Sequence, residues 1–183
     1  MSLIKITGGI LRGRTIRKVP LRVRPTPAKL RQSFFEILGD IENLTFIDLF
    51  AGSGAMGIES LSRGANPVIF VELERRNCKI IESNITSLGL EKKNWEVVCS
   101  EALKWLDNFS TESGAIVFAS PPYIEKFLPK VLKNFEIFAS KSVDNVILAL
   151  QYPKRNLPEI FKISRPSRIH KMGDDAILFW YNE

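Results

Sequence analysis

Asp48-Leu-Phe-Ala-Gly-Ser-Gly-Ala-Met-Gly57 follows directly on the apolar pair Phe46-Ile47 and runs into residues of helical period that stop at Gly64. Strand, glycine-rich turn and helix form the repeating unit of open α/β sheets, and the turn is where such sheets take their ligands. Outward from this run, apolar strands are expected at 45–49, 67–72, 95–99, 115–119 and 145–151. Helical periods separate them at 55–63, 74–88 (closed by Gly89), about 101–108, and 125–139, where Phe127, Val131, Leu132 and Phe135 share one side. Strands without strict alternation, separated by helices, predict a parallel sheet covered on both faces. Two further β-like stretches, about 159–169 and 176–181, flank Met172-Gly-Asp-Asp175 and read as an antiparallel hairpin.

The segment ahead of this sheet has a different character. Residues 3–7 and 10–16 flank Gly8-Gly9 and predict a small hairpin. Pro20 to Pro27 reads as an extended linker. Thr26 is placed as a helix N-cap with Pro27 at the first helical position. Leu30, Phe34, Ile37 and Leu38 recur at helical spacing, and Gly39 is placed to end that helix. The expected division is therefore residues 1–40, a basic hairpin and helix extension, and residues 41–183, the α/β domain. No internal repeat or low-complexity segment interrupts either part.

Charge separates the same two parts. Residues 1–33 carry Lys5, Arg12, Arg14, Arg17, Lys18, Arg22, Arg24, Lys29 and Arg31 and no acidic residue, so the rest of the chain nets −3 against +6 for the whole. Such segregation marks a surface for a polyanion, and nucleic acid is the expected partner. A solvated arm or a transit presequence would also be arginine-rich, but glycines, prolines and strand-like alternation argue against the amphipathic helix of a presequence. Arg12, Arg14, Arg17, Arg22 and Arg24 are assigned to phosphates, with Thr26 and Arg31 beside them. About five such contacts would give a slope of log K against log salt near −4. Lys154, Arg155, Lys162, Arg165, Arg168 and Lys171 could widen the platform or be solvated loop charges.

At 183 residues and 45% hydrophobic composition the chain can bury roughly 70% of its unfolded surface without staples. Cys78 and Cys99 have no metal or redox spacing and are expected to be reduced thiols; no metal is expected. No apolar run reaches the ~18 residues that span a bilayer, and no signal-peptide core is visible, so a cytoplasmic protein without membrane association is expected.

The glycine turn satisfies the dinucleotide pattern Gly52-x-Gly54-x-x-Gly57, and Glu72 lies twenty residues after Gly52 to accept from ribose hydroxyls. A nicotinamide-dependent oxidoreductase is therefore a competing class. Asp48 discriminates: a carboxylate in that crevice would repel a pyrophosphate and suit a phosphate-free ligand with a cationic amino-acid end, S-adenosylmethionine. Phe50, Ala51, Gly52, Ser53 and Gly54 are assigned to its polar part and Glu72 to its ribose, with Leu73 and Ser120 also counted among the cofactor-binding residues. Glu101 and Ala102 go to the adenine edge, although a Glu at that point also complements a helix dipole.

Ser120-Pro-Pro-Tyr123 ends the fourth strand on the same sheet edge. Two prolines fix φ and remove two N–H donors, which leaves acceptors. An exocyclic amine attacking a methylsulfonium needs acceptors for its hydrogens so that its lone pair can face the carbon. Ser120 Oγ and the carbonyl of Pro121 are placed for this, followed by Pro122, and Tyr123 is placed to stack on the base, worth about 1–3 kcal/mol. Neither cysteine sits in this turn to serve as the nucleophile of ring-carbon methylation. His170, the one histidine, reads as surface or packing.

Read together, Ile6-Thr-Gly-Gly9, Arg12-Gly-Arg14, Arg24-Pro-Thr26 followed by Arg31 and Phe35, Asp48-x-Phe-Ala-Gly-Ser-Gly54, Gly57-x-Glu59 and the diproline turn resemble the RsmD family of bacterial 16S rRNA guanine-N2 methyltransferases. The likeness covers nearly the whole chain. It implies an α/β, class I S-adenosylmethionine-dependent (Rossmann-like) fold, with a mostly parallel seven-stranded sheet and a C-terminal antiparallel hairpin. It also implies methylation of the N2 of one guanosine of 16S rRNA, within the small ribosomal subunit; the protein itself is expected to be a monomer. Ser120 departs from the family's usual Asp, and Glu101 from its commoner Asp or Asn. The open alternatives are N6-adenine methylation of DNA, N5-glutamine methylation of a protein, and an RNA-binding factor with a degenerate site.

Overall fold

The computed structural model describes residues 3–21, 24–111, 114–141 and 145–181. Its centre is a seven-stranded sheet of β3 (Thr45–Leu49), β4 (Val68–Glu72), β5 (Trp95–Cys99), β6 (Ala115–Ala119), β7 (Val146–Pro153), β8 (Arg168–Met172) and β9 (Asp175–Trp180). The order across it is β5-β4-β3-β6-β7-β9-β8. β3 to β7 pair in parallel; β9 pairs antiparallel with both β7 and β8. This is the sheet expected from the sequence. The last hairpin is shorter than expected, since strand structure begins at Arg168 rather than near residue 159. Arg168 and Lys171 stand exposed on β8, and charge on that edge strand discourages pairing with another chain.

Because side chains alternate along a strand, the sheet divides its apolar residues between two cores. Phe46, Phe70, Phe118 and Phe179 face one side, under α2 (Ala55–Ser62) and α3 (Arg75–Ser87). Ile47, Val117, Leu148 and Leu178 face the other, under α4 (Ala102–Asp107) and α5 (Leu128–Ser140).

The N-terminal part joins the first core. Strands β1 (Ile4–Lys5) and β2 (Thr15–Ile16) pair antiparallel, and α1 (Ala28–Leu38) drives Phe34 between Phe118 (4.9 Å) and Phe179 (5.8 Å, stacked). Residues 1–40 and 41–183 therefore share one core, and position 40 does not divide the packing. The buried face of α1 is Leu30, Arg31, Phe34 and Phe35, with Ile37 and Leu38 only partly covered.

Two local expectations are corrected here. Gly8-Gly9 is not a two-residue hairpin turn. It lies in a wider loop docked on the C-terminal end of α2, where Ile10 N–H donates to Ser62 O (2.7 Å) and Ser62 Oγ donates to Gly8 O (2.6 Å). Gly9 has φ +72, and a Cβ there would lie 1.8 Å from the Ser62 carbonyl oxygen, so the approach requires glycine. Thr26 does not cap α1: Pro27 occupies that position, no side chain caps the end, and the Thr26 hydroxyl is buried elsewhere. Gly39 does end the helix, its N–H donating to Phe35 O.

Candidate active site

The strand order reverses between β3 and β6, and at the carboxyl ends of these strands the side chains cannot be covered by the next helix. A cleft of about 300 Å³ opens there. Asp48, Phe50 to Ser53 and Glu72 line one side, Ser120 to Tyr123 the other, and Arg24, Pro25 and Thr26 of the N-terminal segment form part of its wall. The acidic strand ends and the diproline turn thus face a common space. Gly54 is outside the lining; at φ +77 it is the residue from which α2 begins.

Two backbone N–H groups of the glycine turn are already committed. Gly57 N–H donates to Asp48 Oδ2 (2.9 Å) and Gly52 N–H to Glu72 Oε2 (2.8 Å). The other Glu72 oxygen accepts from Glu74 N–H (2.9 Å). A pyrophosphate needs such donors free and finds carboxylates in their place, so the turn is built for a ligand without phosphate. Burial pushes the Asp48 carboxyl up to about 8 against the pull of the Gly57 N–H, with the neighbouring charge of Glu72 adding to the rise. With no cation of the described residues offsetting that rise, Asp48 is mostly protonated at neutral pH. An ammonium group would restore its charge.

Leu73, Glu101 and Ala102 do not line the cleft. Leu73 is exposed, Ala102 is buried in the second core, and the Glu101 carboxylate caps α4 by accepting from Leu103 N–H and Lys104 N–H. The helix-end alternative for Glu101 is the one its bonds show. Ser100 and Glu101 still lie beside Glu72, since Ser100 N–H donates to Glu72 O (3.0 Å).

Around the diproline turn the structure adds residues missed in the sequence. Gln151, two residues before the end of β7, accepts at Oε1 from the hydroxyls of Thr26 (2.8 Å) and Ser120 (3.1 Å) and donates from Nε2 to Tyr123 Oη (3.1 Å). Tyr123 in turn donates to Asp175, and Arg24 lies 3.7 Å from that carboxylate and 5.8 Å over the Tyr123 ring. Burial, then the bond to Asp175 and its charge, push the Tyr123 phenol well above its ordinary range. A sequence signal existed for Gln151, a polar residue closing the apolar run Val146–Leu150 one step beyond the Ala119–Leu150 pair. Asp175 had none.

Of the basic residues assigned to phosphate, Arg12, Arg17 and Arg24 are exposed. Arg14 is exposed but tied to the end of α3 by bonds to Leu88 O (2.8 Å) and Ser87 O (3.4 Å). Arg22 lies outside the described residues. Arg31 cannot meet RNA: it is 1% exposed, pairs with Glu59 at 3.1 Å and donates to the carbonyls of Thr26 and Lys5. Thr26, 5% exposed, is likewise spent on Gln151. Lys154, Arg155, Lys162, Arg165, Arg168 and Lys171 are all exposed. His170 shares a hydrogen bond with Ser33 Oγ (2.9 Å), a packing role. Cys78 and Cys99 are free thiols with sulfurs 2.9 Å apart.

The family model described as Conserved hypothetical protein 95 matches residues 4–181. The chain belongs to this family. Its curated relatives include ribosomal RNA small subunit methyltransferase D of Buchnera aphidicola, 34% identical over 74% of this chain and 71% of that one. The protein of the same name in Escherichia coli is 34% identical over 73% and 67%. Among solved structures, an Escherichia coli chain described as a candidate methyltransferase, YhhF, superimposes with TM-score 0.74 at 26% identity, covering 100% of this chain and 99% of that one. Fold, cleft and relatives agree on an RsmD-type methyltransferase of the class I, S-adenosylmethionine-dependent kind.

Proposed function

We propose that this S-adenosylmethionine-dependent methyltransferase modifies the exocyclic N2 of a guanosine in 16S rRNA, acting in the cytoplasm on RNA already within the small ribosomal subunit. The observation that carries this reading is the shared cleft: carboxyl groups of Asp48 and Glu72 on one wall and the Ser120–Tyr123 turn on the other. Bound there, the cofactor supplies an electrophilic methyl group. Asp48 would face its ammonium end, the Phe50–Ser53 turn its amino-acid part, and Glu72 its ribose. The adenine would lie toward exposed Leu73 and the start of α4, with Glu101 contributing through the helix end it caps.

The remaining roles belong to the acceptor. The target base must leave its stack, which costs a few kcal/mol and least in a loop or bulge. The Tyr123 ring, held by its hydroxyl, offers a flat surface for it. Ser120 Oγ and the Pro121 carbonyl accept the amine hydrogens and so aim the nitrogen lone pair. Positioning and a water-poor cleft supply most of the rate, because no covalent enzyme intermediate is needed. Exposed Arg12, Arg17 and Arg24 hold phosphates, Arg24 at the cleft wall itself. The relatives named for small-subunit ribosomal RNA support this substrate over DNA or protein.

The test is transfer of labelled methyl from the donor to small subunits lacking the modification, followed by mapping of the modified nucleoside. N2-methylguanosine at one position is expected. Tight RNA binding without incorporation, or label in another base, would overturn the proposal.

A further inference from the structure

Ser120 carries one hydroxyl proton, and its value as an acceptor depends on where that proton points. If it points into the cleft, it meets the N–H of the incoming amine head-on. If it points away, both oxygen lone pairs are left for the amine. Ser120 Oγ lies 3.1 Å from Gln151 Oε1, in a bond where the serine donates and which takes up this proton.

What keeps it there is a one-way chain of hydrogen bonds that ends 52 residues from Tyr123 in sequence. Asp175 is 3% exposed and lies beside the Arg24 guanidinium, and an ionised carboxylate can only accept. Tyr123 must therefore donate its proton to Asp175. Its oxygen then has only lone pairs to offer, so Gln151 must turn its Nε2 toward Tyr123. The amide oxygen is left facing Ser120 and Thr26, and both hydroxyls must donate to it. Every bond has its direction set by the charge at the far end.

Resting on the reading that Ser120 accepts from the nucleophilic amine, we infer that Asp175, through Tyr123 and Gln151, sets the polarity of the Ser120 hydroxyl. Gln151, Asp175 and the Tyr123 hydroxyl are positioning groups in this scheme. Broken at Tyr123, the chain lets the amide turn over, so that Nε2 donates to Ser120 and the serine proton swings into the cleft. A carboxylate at position 120 would need no such orientation, because it accepts from any direction.

Steady-state methyl transfer to small-subunit RNA tests this, with S-adenosylhomocysteine affinity by calorimetry as the check on folding and on the cofactor site. Tyr123→Phe keeps the stacking ring and removes only the relay hydroxyl. It should lower kcat about tenfold, equivalent to about 1.4 kcal/mol, while the affinity for S-adenosylhomocysteine stays within about twofold. Asp175→Ala should do the same, and the double variant should be no slower than the slower single. If Asp175→Ala loses the affinity for S-adenosylhomocysteine, Tyr123→Phe decides alone. In a Ser120→Asp background Tyr123→Phe should change kcat by less than about twofold. An equal loss from Tyr123→Phe in both backgrounds, multiplied losses in the double variant, no loss in the single, or an inactive Ser120→Asp enzyme would each overturn the inference. A wild-type protein that transfers no methyl group would instead overturn the function on which it rests.

Discussion

Replacing Arg31 should unfold the protein rather than weaken its hold on RNA. The guanidinium is buried against Glu59, itself 0% exposed, at 3.1 Å, and its other nitrogens donate to Thr26 O (2.9 Å) and Lys5 O (2.6 Å). Glu59 accepts further from the N–H and hydroxyl of Thr7 and from Arg63. Arg31→Met keeps an apolar stem of similar length but leaves a buried carboxylate short of a partner and two carbonyls without donors. Breaking a buried pair in this way costs about 3–5 kcal/mol. For a chain of this size that corresponds to a fall in Tm of roughly 6–20 °C. Burial raises the Glu59 carboxyl, but the bonds from Thr7 and Arg31 outweigh it and hold the group below its ordinary 4.5. In the wild type the pair therefore stabilises fully above that value and is lost as pH falls through the lower, folded pKa. Without Arg31, burial gains weight and protonation relieves the site, so the gap between variant and wild type should narrow from pH 7 toward pH 4. Urea unfolding across that range is the assay. A loss under about 1 kcal/mol at pH 7, with a flatter salt dependence of RNA binding, would refute the buried-clamp reasoning and return Arg31 to the RNA surface.

Three further outcomes are expected. Because Asp48 sits near 8 in the ligand-free protein, S-adenosylhomocysteine should release close to one proton on binding at pH 7 and bind more tightly as pH rises toward 8; calorimetry in buffers of different ionisation enthalpy measures this, and no proton release would place the ammonium elsewhere. Neutralising Arg12 and Arg17 together should reduce the salt slope of RNA binding by about 1.4–1.8, read from titrations at several salt concentrations, whereas an unaltered slope would move the phosphate contacts to another face. Gly9→Ala should destabilise the fold by about 1–3 kcal/mol in thermal or urea unfolding, because its Cβ would lie 1.8 Å from the Ser62 carbonyl oxygen at the joint between loop and α2.

Periodicity exposed most of the architecture in advance because it records burial of neighbouring residues. The five parallel strands were legible as apolar runs, α3 as a helical period closed by Gly89, and α5 as one with Phe127, Val131, Leu132 and Phe135 on one side. The cleft was half legible. Asp48, Glu72, the glycine turn and the diproline turn all sit at strand ends, where a change from apolar to polar or to glycine and proline is visible in the chain itself. Charge was a poorer guide in the N-terminal segment. Nine basic residues without an acidic one looked like a single surface, yet Arg31 turned inward and Arg14 was spent on the end of α3.

Local order along the chain was thus determined by the sequence alone, since sterics, strand alternation and helix spacing act among residues a few positions apart. Only the tertiary structure decided which polar groups meet. Arg31 finds Glu59 across 28 positions, Tyr123 finds Asp175 across 52, and Thr26 finds Gln151 across 125. No periodicity encodes those pairings. They exist because sheet order brings distant strand ends side by side, and because each buried donor or acceptor must be satisfied by whatever group the packing delivers.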